Sequence, residues 1–146
     1  MIIYEWRGRF TNGEANALHA EAFETRLYDD SEWDWEQLVE AHSLGWVVAR
    51  DGEQLVGFVN VVWDGLVHAW LQDTMVAGMF GRQGIGTRLV AEAAGGARTA
   101  GCETLHVDFD DDLRPFYFDA CGFAPTNGGL LDLAAEPVVP PVSSDP

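Results

Sequence analysis

A glycine-rich stretch, MFGRQGIGTRLV at residues 79–90, contains the residue types that bind a phosphate group. Glycine lets the backbone approach a ligand closely or take a positive φ. Free N–H groups at the start of a helix attract anions, and the helix dipole reinforces that attraction. Arg82 and Arg88 add positive charge within the same stretch. The stretch therefore predicts a phosphate-binding loop that leads into a helix.

Two common phosphate-binding motifs do not fit this stretch. A P-loop needs lysine where Thr87 follows Gly86, and the chain contains no lysine. A dinucleotide-binding fingerprint read from Gly84 lacks its third glycine, and no parallel strand–helix–strand unit with a ribose-binding acid follows it. Two interpretations stay open from the residues alone: another kind of phosphate loop, or a glycine-rich turn that begins a core helix.

Candidate acid–base residues lie on the predicted strands that flank this loop. Asp73 comes shortly before it, and His106 and Asp108 alternate on a later strand and so share one face. A carboxylate or an imidazole can act as a general acid or base. Each residue also has a structural interpretation, because Asp73 can brace the strand, His106 can be a core histidine and Asp108 can bond a neighbouring backbone.

The elements that must position these residues follow from the hydrophobic pattern. Apolar alternation predicts strands at residues 2–7, 45–50, 54–63, 67–76 and 104–109, and a final strand near 129–133. Helical spacing predicts helices near 13–24, 33–43, 84–99 and 112–121. Asp-Gly pairs at 51–52 and 64–65 make hairpins of the central strands. The predicted fold class is α/β: a mixed sheet with helices on its faces.

Composition limits the size, partners and location of the protein. With 146 residues, 47% of them hydrophobic, we expect one domain over residues 1–133 and a proline-rich, poorly ordered tail over 134–146. A formal net charge of −16 argues against nucleic acid as a partner. We expect a cytoplasmic protein, because no segment has the pattern of an export signal or a membrane span. The two cysteines lack zinc-ligand spacing, so no metal is expected.

The segment LQDTMVAGMFGRQGIGTRLVAEA resembles the signature of the GNAT superfamily of N-acetyltransferases. That signature is a strand, a short connection, the pattern R/Q-x-x-G-x-G/A and a long helix. LHVDFDDDLRPFYFDACGF resembles the next strand and the final helix of the family, and GWVVARDGEQLVGFVNVVW resembles its second and third strands. The resemblance covers residues 1–133, is most specific over 70–123, and implies a mostly antiparallel sheet with two strands splayed apart.

The resemblance implies acetyl-CoA, or another acyl-CoA, as co-substrate. Its pyrophosphate would lie on the amides of residues 82–87, and a backbone N–H near Val76 would polarise the thioester carbonyl. Gly81 stands where the family usually has Arg or Gln, so we expect weakened but retained binding. The implied cofactor-binding residues are Met75, Val76, Gly81, Arg82, Gln83, Gly84, Ile85, Gly86, Thr87 and Arg88.

The implied reaction is direct attack of an amine on the thioester, with Asp73, His106 or Asp108 as base. The family often carries a tyrosine acid four residues before its closing Gly-Phe pair, and that position is Phe118 here, next to Tyr117. Neighbouring residues of an α-helix point about 100° apart, so Tyr117 takes the role only if the helix is registered differently. We expect an acyl-CoA-dependent N-acyltransferase. The alternative is an acyl-CoA-binding or regulatory module with little activity.

An acidic and aromatic stretch, FETRLYDDSEWDWEQLVE, is one candidate site for the amine acceptor. Aromatic faces beside carboxylates suit an ammonium group. The structural alternative is a solvated helix start with Ser31 as N-cap and both Trp33 and Trp35 turned inward. If the acceptor does not bind there, the pocket is expected between Trp63, Trp70 and the splayed strands. The acceptor is a small-molecule amine or a protein amine, and a homodimer stays open.

Overall fold

A computed structural model describes residues 1–81 and 83–137, which form a five-stranded mixed sheet flanked by helices. The strands are β1 Ile2–Trp6, β2 Ser43–Asp51, β3 Gln54–Trp63, β4 His68–Val76 and β5 Thr104–His106. The α-helices are α1 Asn12–Phe23, α2 Trp35–His42 and α3 Ile85–Thr99. Short 3₁₀ turns span Gly78–Phe80 and Asp111–Leu113, and a π-helical segment spans Pro115–Ala120.

The strands lie in the order β1-β2-β3-β4-β5. The first four strands are antiparallel, and β4 pairs with β5 in parallel. Gly52 (φ 60°) and Gly65 (φ 82°) sit in the two hairpin connections, where a side chain would be strained. The predicted mixed, mostly antiparallel sheet and its central hairpins are confirmed.

Helices cover opposite faces of the sheet, as neighbouring residues of β3 demonstrate. Phe58 packs edge-to-face on Trp35 of α2, with ring centroids 5.9 Å apart. Gly57 points the other way, and a Cβ there would lie 3.0 Å from Leu89 of α3. Glycine therefore lets α3 sit close to the sheet, where burying Leu89 contributes about 1.5–3 kcal/mol.

The start of α2 differs from the prediction. Asp34 is the N-cap, and its side chain accepts a hydrogen bond from the Gln37 N–H (3.0 Å). Ser31 is not the cap, because its N–H and hydroxyl both donate to the Asp29 carboxylate in the preceding turn. The helix consequently begins at Trp35, two residues later than predicted.

The predictions for the C-terminal part are partly wrong. Among the described residues, 129–133 form no strand, since the leucines at 130, 131 and 133 are 74–88% exposed and bury no face. The predicted strand at 104–109 stops at His106. In place of the predicted helix at 112–121, a 3₁₀ turn precedes the π-helical segment, which has Pro115 at its start. Residues 138–146 of the predicted tail lie outside the described residues.

None of the helices in the described part of the chain combines the length and apolar character that crossing a bilayer requires.

Candidate active site

A bulge in β4 sets Asp73 apart from the rest of its strand. Phe58 pairs with Met75 and Asn60 with Gln72, so three steps along β4 oppose two along β3. Asp73 takes a left-handed φ of 56°, which is uncommon for a residue with a side chain. Its carboxyl is largely buried, and this desolvation raises its pKa, while a positive charge on His19 opposes the rise. The fold thus holds an acid of raised pKa in a strained position.

A gap opens between β4 and β5 directly after their short paired region. The two strands pair only from His68 to Trp70 and from Thr104 to His106. Near the end of β4, the Ala77 N–H donates to the Val56 carbonyl of β3 (2.9 Å). Because hydrogen-bonding directions alternate along an antiparallel strand, the preceding Val76 N–H points away from β3 and into the gap. This donor is available to a carbonyl oxygen there.

The glycine loop after β4 exposes the start of α3. The hydrogen-bond ladder of the helix begins with the Arg88 N–H, which donates to the Gly84 carbonyl (3.1 Å). The N–H groups of residues 85–87 precede that ladder and are available to an anion. Gly84 has φ 80°, where a side chain would be strained. A Cβ on Gly86 would lie 3.1 Å from the Phe116 ring, so this glycine also lets the π-helical segment pack on α3.

A cleft of about 370 Å³ joins the loop to the gap. It contains six of the predicted cofactor-binding residues, together with residues of α1 and of the segment after β5. Its lining is Ala22, Thr74, Val76, Phe80, Gly81, Gly84, Ile85, Gly86, Thr87, Leu113, Phe116 and Tyr117.

The other predicted cofactor-binding residues are placed differently. Met75 is fully buried in the core. The Gln83 side chain donates to the Met79 carbonyl (3.4 Å). Arg88 turns away from the cleft, because its Nε bonds Glu92 (2.8 Å) and its guanidinium lies 4.8 Å from the centre of the Tyr4 ring. Arg82 lies outside the described residues.

A second, polar pocket of about 240 Å³ occupies the gap itself. Its lining is Leu71, Gln72, Asp73, Thr74, Val107, Asp108 and Tyr117. The structure therefore brings Asp73 and Asp108 to one pocket. It does not bring His106 there, because that ring stacks on Trp70 with centroids 5.2 Å apart, on the exposed side of the paired region.

The π-helical segment directs Tyr117, rather than Phe118, into the site. Its wider turn is marked by the Cys121 N–H, which donates to the Phe116 carbonyl five residues earlier (2.9 Å). Because a π-helical turn contains one residue more than an α-helical turn, the position that faces the site moves from Phe118 to Tyr117. Tyr117 is 6% exposed, and its hydroxyl donates to Thr74 Oγ1 (3.2 Å). Burial raises the pKa of Tyr117.

The acidic and aromatic stretch is largely satisfied by the chain itself. Arg26 bonds Glu32 (3.0 Å) and lies 4.3 Å from the centre of the Tyr28 ring, where a substrate cation would otherwise stack. The pKa of Asp29 is lowered by hydrogen bonds from the Ser31 hydroxyl and from backbone N–H groups, and the pKa of Asp34 by those from the Gln37 N–H and the Asn12 side chain.

Of the two tryptophans in that stretch, Trp35 turns inward, as the structural interpretation predicts, and donates to Asn16 (2.8 Å). Trp33 is 49% exposed, so this half of the prediction is wrong.

His19 of α1 is not among the site residues predicted from the sequence. Its ring lies among those of Phe23, Tyr28 and Trp35, at centroid distances of 4.9, 5.8 and 5.6 Å. Its Nδ1 is buried without a hydrogen-bond partner in the described part of the chain, and a positive charge there would lower the pKa of Asp73. Only the packing of α1 over β4 creates this neighbourhood, and no short motif accompanies it.

A larger cavity, of about 490 Å³, lies between the β1–α1 connection and α2. Arg7, Arg9 and Arg50 lie in its wall. Arg7 donates to the Leu44 carbonyl (3.1 Å), and Arg50 pairs with Glu14 (2.7 Å). The guanidinium groups of Arg7 and Arg50 are thus engaged, and the cavity shares no lining residue with the gap, so the cleft and pocket at β4 and β5 are the candidate active site.

Comparison with solved structures shows the same fold in proteins that are named as acetyltransferases or probable acetyltransferases. A probable acetyltransferase from meticillin-resistant Staphylococcus aureus aligns with a TM-score of 0.73 and 19% identity, covering 90% of this chain and 98% of that one. AAC(6')-Iy, solved with a bisubstrate analogue of CoA and acetylneamine, aligns with a TM-score of 0.69 and 16% identity, covering 90% of this chain and 97% of that one. Glucosamine-6-phosphate N-acetyltransferase from Arabidopsis thaliana aligns with a TM-score of 0.68 and 14% identity, covering 89% of this chain and 97% of that one.

Comparison at the level of sequence identifies the family. No curated protein matches the chain. The model of the Acetyltransferase (GNAT) family matches residues 3–123, which include β2 to β5, all but the first residue of β1, the glycine loop and the π-helical segment. The chain therefore belongs to the GNAT family of acetyltransferases.

Proposed function

We propose that the protein transfers an acetyl group from acetyl-CoA to an amine by direct attack. The observation that carries the proposal is the meeting of two cavities at Thr74 and Tyr117. One contains the helix start suited to a pyrophosphate, and the other contains two carboxylates suited to an amine. A thioester at the junction would have a hydrogen-bond donor, the Val76 N–H, on one side and a base, Asp73, on the other.

The coenzyme would be bound mainly by backbone groups. The N–H groups of residues 85–87 and the α3 dipole would bind the pyrophosphate, and Arg82 would add charge. The Val76 N–H would stabilise the negative charge that develops on the thioester oxygen. The neighbour solved with a CoA bisubstrate analogue supports a coenzyme of this kind.

Asp73 is proposed as the general base, with Asp108 across the pocket holding the ammonium group. A raised pKa suits this role, because a base is most effective when its pKa lies near the working pH. Tyr117 is proposed as the acid that protonates the departing thiolate, since the π-helical segment directs it to the junction. His106 has no part in this proposal.

The acceptor is proposed to be a small, polar, cationic amine. The protein itself is proposed to act in the cytoplasm. The pocket has a volume of about 240 Å³, and its seven described lining residues include two acids and no base. The neighbours named for aminoglycoside and glucosamine-6-phosphate acetylation support an amine of this general kind. The acidic and aromatic stretch is a weaker candidate, because Arg26 already lies on its aromatic face.

The proposal is tested by measuring thiol release from acetyl-CoA with a panel of amines, beside the melting temperature with coenzyme alone. We expect the coenzyme to raise Tm, because a ligand that binds only the native state stabilises it. Polar diamines and amino sugars should release thiol faster than aromatic amines. A Tm shift without thiol release would favour a binding or regulatory module, which Gly81 also suits. No Tm shift at millimolar coenzyme would contradict the cofactor assignment.

A further inference from the structure

Thr74 and Tyr117 are the two residues that the cleft and the polar pocket share. Tyr117 donates to Thr74 Oγ1 across the gap (3.2 Å), which links the β4 bulge to the π-helical segment. An acyl group that reaches from the cleft toward Asp73 must pass this pair. Thr74 directly follows the bulge residue, and no short sequence motif marks it.

We propose that Thr74 is a positioning residue that holds the Tyr117 hydroxyl at the junction and supports its proton transfer to the departing thiolate. The inference rests on the proposed function. It adds to it a residue that acts through Tyr117 and does not itself touch the reacting atoms.

The ring of Tyr117 is fixed by its neighbours, so the orientation of its hydroxyl is the freedom that Thr74 controls. Phe109 stacks on the ring at 4.6 Å, while Phe116 and Phe123 meet it edge-on at 4.7 and 5.9 Å. Thr74 is β-branched and lies on a strand, so its side chain has few rotamers. A rigid hydroxyl opposite a rigid ring holds the phenolic oxygen at one position, from which its O–H can turn from Thr74 to the departing sulfur.

The proposed step balances as follows. The acceptor ammonium first loses one proton to solvent, and the nitrogen of the resulting neutral amine bonds to the acyl carbon and gives up a second proton to the Asp73 carboxylate. The C–S bond breaks, its electron pair goes to sulfur, and the Tyr117 O–H proton passes to sulfur to give the free thiol. The Thr74 hydroxyl, which both accepts and donates, then turns to donate to the phenolate. The proton on Asp73 returns to the phenolate through the polar pocket.

The electrostatics of Tyr117 agree with this role. Burial raises its pKa, and the hydrogen bond with Thr74 is the interaction that lowers it. Loss of the Thr74 hydroxyl should therefore make the phenol a weaker acid. The proton that must reach the sulfur would then be harder to release.

The first test compares Thr74→Val, which removes the hydroxyl but keeps the shape, with Thr74→Ser, which keeps it. Thr99→Val, on the exposed end of α3, is the matched control. We expect Thr74→Val to lower kcat about tenfold or more with coenzyme affinity unchanged, because hydrogen bonds to charged groups are the strong ones. Thr74→Ser should stay within about twofold, as one such bond is retained. In a Tyr117→Phe background, Thr74→Val should change nothing further.

The second test needs no turnover. The chain has three tyrosines, so a Tyr4→Phe, Tyr28→Phe background leaves Tyr117 as the one phenol to titrate by its absorbance. Thr74→Val should raise the midpoint and Thr74→Ser should not. If Thr74→Val fails to fold, Thr74→Ala in the same background replaces it. An unchanged midpoint overturns the inference even if no amine is acetylated, as does an equal loss of kcat in the Val and Ser variants.

Discussion

β4 and β5 are hydrogen-bonded to each other at His68–Trp70 and Thr104–His106, the paired part, and lie apart after these residues, the separated part. Polar side chains bond one another in the paired part and stay available to a ligand in the separated part. In the paired part, His68 Nδ1 lies 2.9 Å from the Thr104 hydroxyl, which lies 3.2 Å from His106 Nε2, and Trp70 stacks on His106. These side chains satisfy one another on an exposed surface. They are arranged for stability and leave little free for a ligand.

In the separated part, the same two strands keep polar groups available. Asp73 is half-buried with a raised pKa and a left-handed φ, and the Val76 N–H points into the gap. Such features cost stability and persist where the surrounding structure enforces them, which is typical of functional sites. The difference between the two parts predicts which substitutions change activity and which change stability.

The largest effect is expected for Asp73→Asn. We expect kcat to fall about a hundredfold or more, the contribution typical of a general base. Stability at neutral pH should rise, because the amide avoids the burial of a charge and asparagine tolerates a left-handed φ. Thiol release and urea unfolding of both proteins measure the two quantities.

The pH dependence gives this prediction its sign. The folded pKa of Asp73 lies above the unfolded value, so the native state holds its proton more tightly. Stability of the wild type is therefore lost as pH rises through the unfolded and then the folded pKa. Asp73→Asn should therefore be more stable to unfolding than the wild type at pH 7, and this difference should shrink in acid. An unchanged kcat with lower stability at pH 7 would remove Asp73 from the site.

The next largest effect is expected for Gly84→Val at the start of α3. A β-branched residue at φ 80° is strained, so the loop should distort and coenzyme Kd should rise about tenfold, within the 1–3 kcal/mol cost of such strain. Gly81→Ala is the matched control, because Gly81 has φ −60°. Calorimetric titration with CoA measures both. Equal affinity in the two variants would place the pyrophosphate elsewhere.

A smaller effect, on stability alone, is expected for His106→Ala in the paired part. Loss of the stack on Trp70 should cost about 0.5–1.5 kcal/mol in the free energy of unfolding. The value of kcat should stay within about twofold, because small changes outside the site leave barriers nearly intact. A hundredfold loss of kcat with normal coenzyme binding would instead make His106 a base, and the two parts would no longer differ in function.

The features of the fold that the sequence predicted are those with local causes. Alternation marked β3 and β4, Asp-Gly pairs marked the hairpins, and the glycines after β4 marked the exposed start of α3. Each of these signals is contained within a few neighbouring residues. Six of the twelve described residues that line the cleft are among the cofactor-binding residues that the family resemblance implies.

The features that the sequence did not predict depend on long-range packing. Whether Tyr117 or Phe118 faces the gap depends on i−5 hydrogen bonding, as from the Cys121 N–H to the Phe116 carbonyl, which a helical pattern does not distinguish from i−4 bonding. Arg88 turns toward Tyr4 because β1 lies beside α3. His19 lies near enough to Asp73 to influence its pKa because α1 packs on β4. The apolar pattern at 129–133 predicted a strand, but no described strand pairs with it.

The smallest effect is expected for Gly81→Arg, which restores a residue that the family usually carries. Gly81 has φ −60° and ψ 147°, which any residue adopts, and a Cβ there would lie 3.4 Å from the Gly78 carbonyl oxygen, an ordinary contact. An exposed guanidinium beside the pyrophosphate is worth about 0.2–1 kcal/mol, so CoA Kd should fall about 1.4- to 5-fold, with kcat unchanged.

Salt separates charge from shape in this last prediction. The gain from Gly81→Arg should shrink as ionic strength rises, since exposed charges are screened over about 8–10 Å. Gly81→Gln, the other residue usual in the family, offers a hydrogen bond without charge, so any gain it brings should survive salt. If both variants bind CoA as the wild type does at every ionic strength, the phosphate is held by backbone groups alone. The separated part of the sheet would then bind its coenzyme through groups that no side-chain pattern in the sequence records.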